Sequence, residues 1–121
     1  MRRSLFAIGL LLATTPVFAK MQATPVEWSV GQDRFSGYVV YDDAAKAKRP
    51  GLVMVPNWMG VTDDAVARAK AIAGDDYVVL VADVWGKGKQ PKDSGEAGKF
   101  AGALRGEDRG PLRARIEAAV A

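Results

Sequence analysis

Residues 52–64 read LVMVPNWMGVTDD, and the chain continues through a helix-patterned segment to YVVLVAD at residues 77–83. An unbroken apolar run of strand length lies at each end of this stretch. Such runs are typical of strands buried on both faces of a parallel sheet. Thr62 is suited to begin the intervening helix, and Gly74 to end it. The stretch therefore predicts a βαβ unit, with Leu52–Val55 as a buried central strand.

The predicted helix carries apolar and charged residues on different faces. Asp63 and Asp64 fall in its first turn, where the helix dipole favours negative charge. Arg68 and Lys70 lie outside the apolar stripe. A stripe of this kind is expected to pack on the sheet, and its members are Ala65, Val66, Ala69, Ile72 and Ala73.

The segments on either side of this unit extend the predicted sheet and cover it with helices. Val26–Val30 alternates apolar and polar residues, and Arg34–Tyr41 is rich in aromatic and β-branched residues, which predicts an antiparallel hairpin at a sheet edge. Residues 84–92 form a Gly- and Lys-rich loop at the carboxyl ends of the strands, where open α/β sheets bind ligands. Two helices are expected after it, at Asp93–Leu104 and from Pro111 onward. In the second, we expect Leu112, Ile116, Ala119 and Val120 to form the apolar face, with Arg113, Arg115 and Glu117 outside it.

No strand follows the last helix, although a helix on a parallel sheet normally leads to the next strand. We therefore expect an incomplete three-layer α/β sheet with a βαβ core, and a larger domain of which this chain is the amino-terminal part. A bare apolar sheet edge invites pairing with another chain. We accordingly expect self-association through that edge.

The first 19 residues have the pattern of a signal peptide. Arg2 and Arg3 precede a short apolar run, and small residues lie at the positions read by signal peptidase, which predicts cleavage after Ala19. The run is about half of the roughly 20 residues that span a bilayer, so no stable membrane anchor is expected. The sequence predicts an exported protein, periplasmic or secreted, whose residues 20–121 form one partial domain.

Composition narrows the chemistry. Loss of Arg2 and Arg3 from 17 basic and 14 acidic residues leaves a nearly neutral chain, which gives no case for nucleic-acid binding. His and Cys are absent, so these residues cannot provide a Ser-His or Cys-His mechanism. Neighbouring acidic pairs do not converge on a metal, and no glycine fingerprint follows either strand, so neither metal nor cofactor is expected.

The turn at residues 56–60 is the strongest candidate site. Backbone N–H groups between a strand end and a helix start can point at an anion, and α/β-hydrolases place an oxyanion-hole donor there. The alternative is an ordinary loop in which Trp58 and Met59 pack as core.

Three segments together resemble the amino-terminal half of the dienelactone hydrolase family. They are FSGY at residues 35–38, PGLVMVPNWMG at residues 50–60 and DYVVLVADVWG at residues 76–86, in the family's order and spacing. The resemblance implies an α/β-hydrolase that acts on small ester or lactone substrates through an acyl-enzyme. It implies that the nucleophile, an Asp and a His lie beyond Ala121, so this chain alone would be inactive.

The resemblance also suggests site residues. It places an oxyanion-hole N–H on Trp58, and it makes Lys87 the basic residue that holds a substrate carboxylate, with Asn57 as a second substrate-binding candidate. Well-known members have His-Glu where this chain has Pro56-Asn57. In those members the glutamate interacts with the nucleophile, and this role cannot be transferred to a chain that lacks the glutamate. A small exported binding domain with a degenerate half-hydrolase fold is the alternative function.

Overall fold

The computed structural model describes residues 20–45, 47–106 and 108–121. The predicted signal peptide lies outside the described residues. Within them, no helix combines the length and the apolar character needed to cross a membrane. The elements are β1 (Met21–Val30), β2 (Asp33–Asp42), β3 (Gly51–Met54), α1 (Asp63–Ala73), β4 (Val78–Val81), α2 (Ser94–Arg105) and α3 (Gly110–Val120).

The four strands form one mixed, open sheet in the order β1-β2-β4-β3. β1 and β2 pair antiparallel along their full length, and β1 lies at one edge, which confirms the predicted hairpin. β2 pairs antiparallel with β4, while β3 pairs in parallel with β4. The parallel pair with α1 between its strands is the predicted βαβ unit.

The ends of α1 also agree with the sequence. The Thr62 hydroxyl accepts a hydrogen bond from the Ala65 N–H at 3.2 Å, which satisfies one of the free amides of the first turn. At the other end, Gly74 adopts a positive φ of 45° and its N–H donates to the Lys70 carbonyl. Local signals therefore set the length of this helix.

The prediction that Leu52–Val55 forms a buried central strand is wrong. In the described part of the chain β3 has one neighbour, β4, and forms the second edge of the sheet. Leu52, Val53 and Val55 are 38%, 40% and 41% exposed. The other apolar run behaves as predicted, because β4 lies between two strands and Val79 and Val81 are fully buried.

Two helical layers enclose the sheet. Val40, Val79 and Val81 pack with Ala65, Ala69 and Ala73 of α1 on one face, in a core of small side chains. Phe35 has the opposite parity along β2 and therefore points to the other face. There it is fully buried, stacks on Trp28 with ring centroids 6.2 Å apart, and meets α3.

The predicted helix faces need two corrections. Ile72 was expected in the apolar stripe of α1 but is 47% exposed. The helix packs on the sheet through the small side chains of Ala65, Ala69 and Ala73, and Ile72 lies beside this alanine contact. In α3, three members of the expected apolar face, Leu112, Ile116 and Ala119, are half-buried, whereas Val120 is 64% exposed. Arg115 was expected outside that face, but its guanidinium lies 5.1 Å from the Phe35 ring centroid. A cation–π contact thus adds to the half-buried apolar face in holding α3 against the sheet.

Gly37 marks the closest approach between two strands. A Cβ atom at this position would lie 2.0 Å from the Val81 carbonyl oxygen and 3.2 Å from the Trp28 ring. We expect Gly37→Ala to force β2 and β4 apart and to lower stability by at least about 1–3 kcal/mol, seen as a melting-temperature drop of about 5 °C or more. Gly98→Ala is the control, because Gly98 is an exposed helical position with open space around its Cβ site. Equal melting of the two variants would contradict the close approach.

The exposed edge of β3 generates a second prediction. We expect the chain to self-associate through this edge at high concentration, because its backbone groups and its Leu52 and Val53 side chains are open to a partner strand. Val53→Lys should shift sedimentation toward monomer. Ala67→Lys adds the same charge at an exposed position of α1 and should leave association unchanged. Monomeric behaviour of the unmodified chain at all concentrations would rule out this surface.

Candidate functional site

Two loops meet where the parallel strands β3 and β4 end. The Trp85 indole N–H donates to the Trp58 carbonyl oxygen at 3.1 Å and ties the loops together. This contact requires a glycine at position 60. Gly60 has a φ of 82°, and an added Cβ atom would lie only 2.9 Å from the Trp85 ring. Gln90 adds a bond from its side-chain amide to the Val61 carbonyl. The site is therefore built from both loops as one unit.

The turn after β3 is shaped by Asn57. Its side-chain oxygen accepts the Met59 N–H at 2.9 Å, and its carbonyl accepts the Gly60 N–H, also at 2.9 Å. Within the described ranges, the Trp58 N–H has no hydrogen-bond acceptor. The Trp58 side chain is 50% exposed and does not pack as core, whereas Met59, the other residue of that alternative, is half-buried. Asn57 thus holds a turn in which the Trp58 amide is among those without an acceptor in the described residues.

The loop after β4 is organised by a buried carboxylate. Asp83 is 3% exposed and accepts the Trp85 N–H at 2.8 Å and the Gly86 N–H at 3.2 Å. It also receives a longer bond of 3.4 Å from the Ser36 N–H on β2. Gly86 follows with a φ of 119°, which only glycine adopts easily. Asp83 was not singled out from the sequence, although an acidic residue directly after a buried strand and shortly before a glycine could have indicated such a turn.

Lys87 lies in this same loop but contacts the β1–β2 hairpin. Its N–H donates to the Arg34 carbonyl at 2.8 Å, and its ammonium pairs with the Glu27 carboxylate. Glu27 also binds the Arg34 guanidinium at 2.6 Å. These two cations, Lys87 foremost, hold the pKa of Glu27 below its usual value. The structure thus joins Asn57 and Trp58 in one turn and places Lys87 against the hairpin.

Trp85 borders two cavities. The smaller, of about 180 Å³, adjoins the candidate turn and is lined by Asn57, Trp58, Trp85, Leu104, Leu112 and neighbouring residues. The larger, of about 560 Å³, lies between residues 85–92, α2 and α3. Trp85 and Leu104 line both cavities and so form a common wall between them. The first cavity therefore borders the candidate turn directly.

The described residues supply binding groups in this region and no nucleophile–base pair. Histidine and cysteine are absent from the sequence. No three Asp or Glu side chains of the described residues lie together as a metal site would require. What the arrangement offers chemically is a backbone amide without an acceptor, in a turn that borders an apolar cavity lined by Trp58 and Trp85.

Comparison with known proteins gives the family of this fold. The dienelactone hydrolase family profile matches residues 35–121. Among solved structures, m3DLH has 32% sequence identity and a TM-score of 0.75, covering 83% of this chain and 41% of its own. A dienelactone hydrolase-like promiscuous phosphotriesterase from metagenomic libraries has 31% identity and a TM-score of 0.74, with the same coverage of both chains. No curated protein sequence matches this chain significantly.

The chain thus spans about two fifths of the length of these solved structures. The matched region includes most of β2, the βαβ unit, both loops of the candidate site and the two final helices. The open mixed sheet agrees with part of an α/β-hydrolase fold. The chain therefore belongs to the dienelactone hydrolase family.

Proposed function

We propose that this chain contributes the oxyanion-binding half of an enzyme that hydrolyses small ester or lactone substrates through an acyl-enzyme. The observation that carries the proposal is the free Trp58 N–H, held in the turn after β3 in a chain of this family. The proposal goes beyond family membership, since it assigns a reaction and a role to one backbone group.

The chemistry follows from how charge develops during acyl transfer. When a nucleophile adds to an ester carbonyl, the oxygen becomes an oxyanion, and an N–H fixed beforehand toward it stabilises the transition state more than the ground state. The two hydrogen bonds to Asn57 hold this turn in place. Trp85 supports the turn from the other side through the Trp58 carbonyl. The donor therefore needs little reorganisation during the reaction.

The nucleophile and its base would come from sequence outside these 121 residues. The chain has no histidine and covers 41% of the length of its solved relatives. An active enzyme in this proposal therefore needs both parts, and the present chain alone would not turn over an ester. A chromogenic ester assay on the chain with and without its downstream coding sequence tests this. Turnover by the chain alone would overturn it, and no turnover by either would favour a non-catalytic binding domain.

Removal of the Trp58 N–H gives the sharpest test of its role. In the complete enzyme, Trp58→Pro should lower kcat by about 10²–10³-fold, because proline lacks the donor. Trp58→Phe keeps the N–H and an aromatic ring, and its kcat should stay within a few-fold of the parent. Melting curves of both variants would exclude unfolding as the cause. Equal kcat values for two folded variants would refute the oxyanion role.

Lys87 is proposed to favour anionic substrates. A substrate carboxylate would have to compete with Glu27 for the Lys87 ammonium. Both side chains are nearly half exposed, at 48% and 41%, so the pair is accessible and its net energy is small. Asn57 is proposed to act less directly, by holding the turn against which the substrate carbonyl lies.

Paired variants test the Lys87 role in the complete enzyme. Lys87→Ala should raise KM for a carboxylate-bearing ester more than for its neutral analogue, because the charge pairing is lost. Glu27→Gln should do the opposite, since it releases Lys87 from its internal partner. Asp75→Asn removes an exposed carboxylate from the connection between α1 and β4, at the opposite end of β4 from the candidate site, and serves as the control. If both esters respond equally to Lys87→Ala, the lysine has no part in substrate selection.

A further inference from the structure

We propose that the larger cavity is a separate binding site for a small aromatic carboxylate. It lies between residues 85–92, α2 and α3, with a volume of about 560 Å³. That volume falls in the range of about 300–1,000 Å³ usual for small-molecule sites. Its lining is Trp85, Gly88, Lys89, Gln90, Lys92, Glu96, Phe100, Ala103, Leu104, Pro111 and Arg115.

Aromatic and aliphatic groups form one wall of the cavity. The rings of Trp85 and Phe100 meet edge to face, with centroids 5.7 Å apart and planes at 62°. Leu104 is buried behind them at 7% exposure. The Trp85 ring is also fixed by its bond to the Trp58 carbonyl. Together these groups offer a flat ligand a preformed aromatic surface.

The charged groups that line the cavity are mostly positive. Lys89, Lys92 and Arg115 line it with a single carboxylate, Glu96. One Glu96 oxygen accepts the Lys92 backbone N–H, which is a helix-start contact and leaves the Lys92 ammonium uninvolved. The cavity therefore has an excess of positive charge, which favours an anion in a concave apolar site.

The other two cations have a single counter-charge outside the cavity lining, and their ion pairs with it are long. Lys89 and Arg115 share Asp33, at 3.7 and 4.0 Å. The Arg115 guanidinium is held in place by a 2.6 Å bond to the Val84 carbonyl and is only 21% exposed. A carboxylate in the cavity would thus lie among the side chains of Arg115, Lys89 and Lys92, which line it together with the aromatic wall.

This site is distinct from the proposed oxyanion turn. Asn57 and Trp58 line the smaller cavity and do not line the larger one. Trp85 and Leu104 stand between the two. A ligand in the larger cavity would leave the Trp58 amide open, and its binding does not depend on a nucleophile.

Isothermal titration calorimetry tests the proposal. The full chain is titrated in separate experiments with 1-naphthaleneacetate and with its neutral counterpart, 1-naphthaleneacetamide. We expect saturable binding of one carboxylate per chain, with a Kd about two- to fivefold lower than that of the amide, as expected for a partly exposed charge contact. Added salt should reduce the difference. Absence of saturable binding, or equal affinity for both probes, would overturn the proposal.

Variants locate the binding. Lys92→Gln should raise the Kd of the carboxylate probe about two- to fivefold and leave the Kd of the amide probe unchanged. Phe100→Ala should weaken both probes about tenfold through loss of ring contact. Lys99→Gln removes a charge from the same helix outside the cavity lining and is the control. An effect of Lys99→Gln equal to that of Lys92→Gln would place the charge effect outside the cavity and overturn the assignment.

These measurements remain informative if one of the substitutions disturbs folding. Lys92 is exposed and needs only its backbone for the helix start, so Lys92→Gln should melt like the parent chain. Because binding is measured without turnover, its failure would leave the hydrolase proposal intact. Lack of esterase activity would likewise leave the binding result unaffected.

Discussion

The buried carboxylate of Asp83 lies between β2 and the loop that follows β4, and the candidate site depends on its hydrogen bonds. A buried charge is costly unless donors surround it. Here the amides of Trp85, Gly86 and Ser36 provide them. Those bonds set the path of the loop, and the path of the loop sets the position of the Trp85 ring. Through that ring the interaction reaches both cavities and the turn at Trp58.

The loop after β4 is held on two sides by interactions of different strength. Toward β3, Trp85 packs on Gly60 and donates to Trp58, in a close contact that tolerates no added Cβ. Toward the hairpin, Lys87 pairs with Glu27 in an exposed ion pair of small net energy. The first contact is suited to preorganise a backbone donor, while the second can be exchanged for another anion. A binding role for Lys87 is compatible with its present partner for that reason.

The edge at β3 links the fold to the proposed function. Its apolar composition is that of a strand in the interior of a sheet. Within the described residues, however, β3 has a neighbouring strand along one edge and none along the other. The solved relatives are about twice as long as this chain, and the matched part of the chain covers 41% of each. A partner strand at this edge would bury the exposed side chains of Leu52, Val53 and Val55, and burial of apolar surface stabilises.

Local sequence signals predicted the elements and part of the site. The apolar runs and the caps Thr62 and Gly74 indicated the βαβ unit, because strand periodicity and helix ends depend on residues close in the chain. The Pro56–Gly60 turn was likewise recognisable from its place between a strand and a helix. Its free amide depends on the contacts of Asn57, which are also local.

Tertiary structure decided the remaining features, since each depends on residues distant in sequence. The exposure of β3 follows from which strands lie beside it, and a continuous apolar run does not encode its neighbours. Lys87 meets Glu27 across 60 positions, and Arg115 lies over Phe35 from a helix at the other end of the chain. The sequence by itself determined the family and the position of the candidate turn. Tertiary packing decided which charged side chains line the cavities. Their ion-pair partners are distant in sequence and come within reach only when the sheet and its helices pack together.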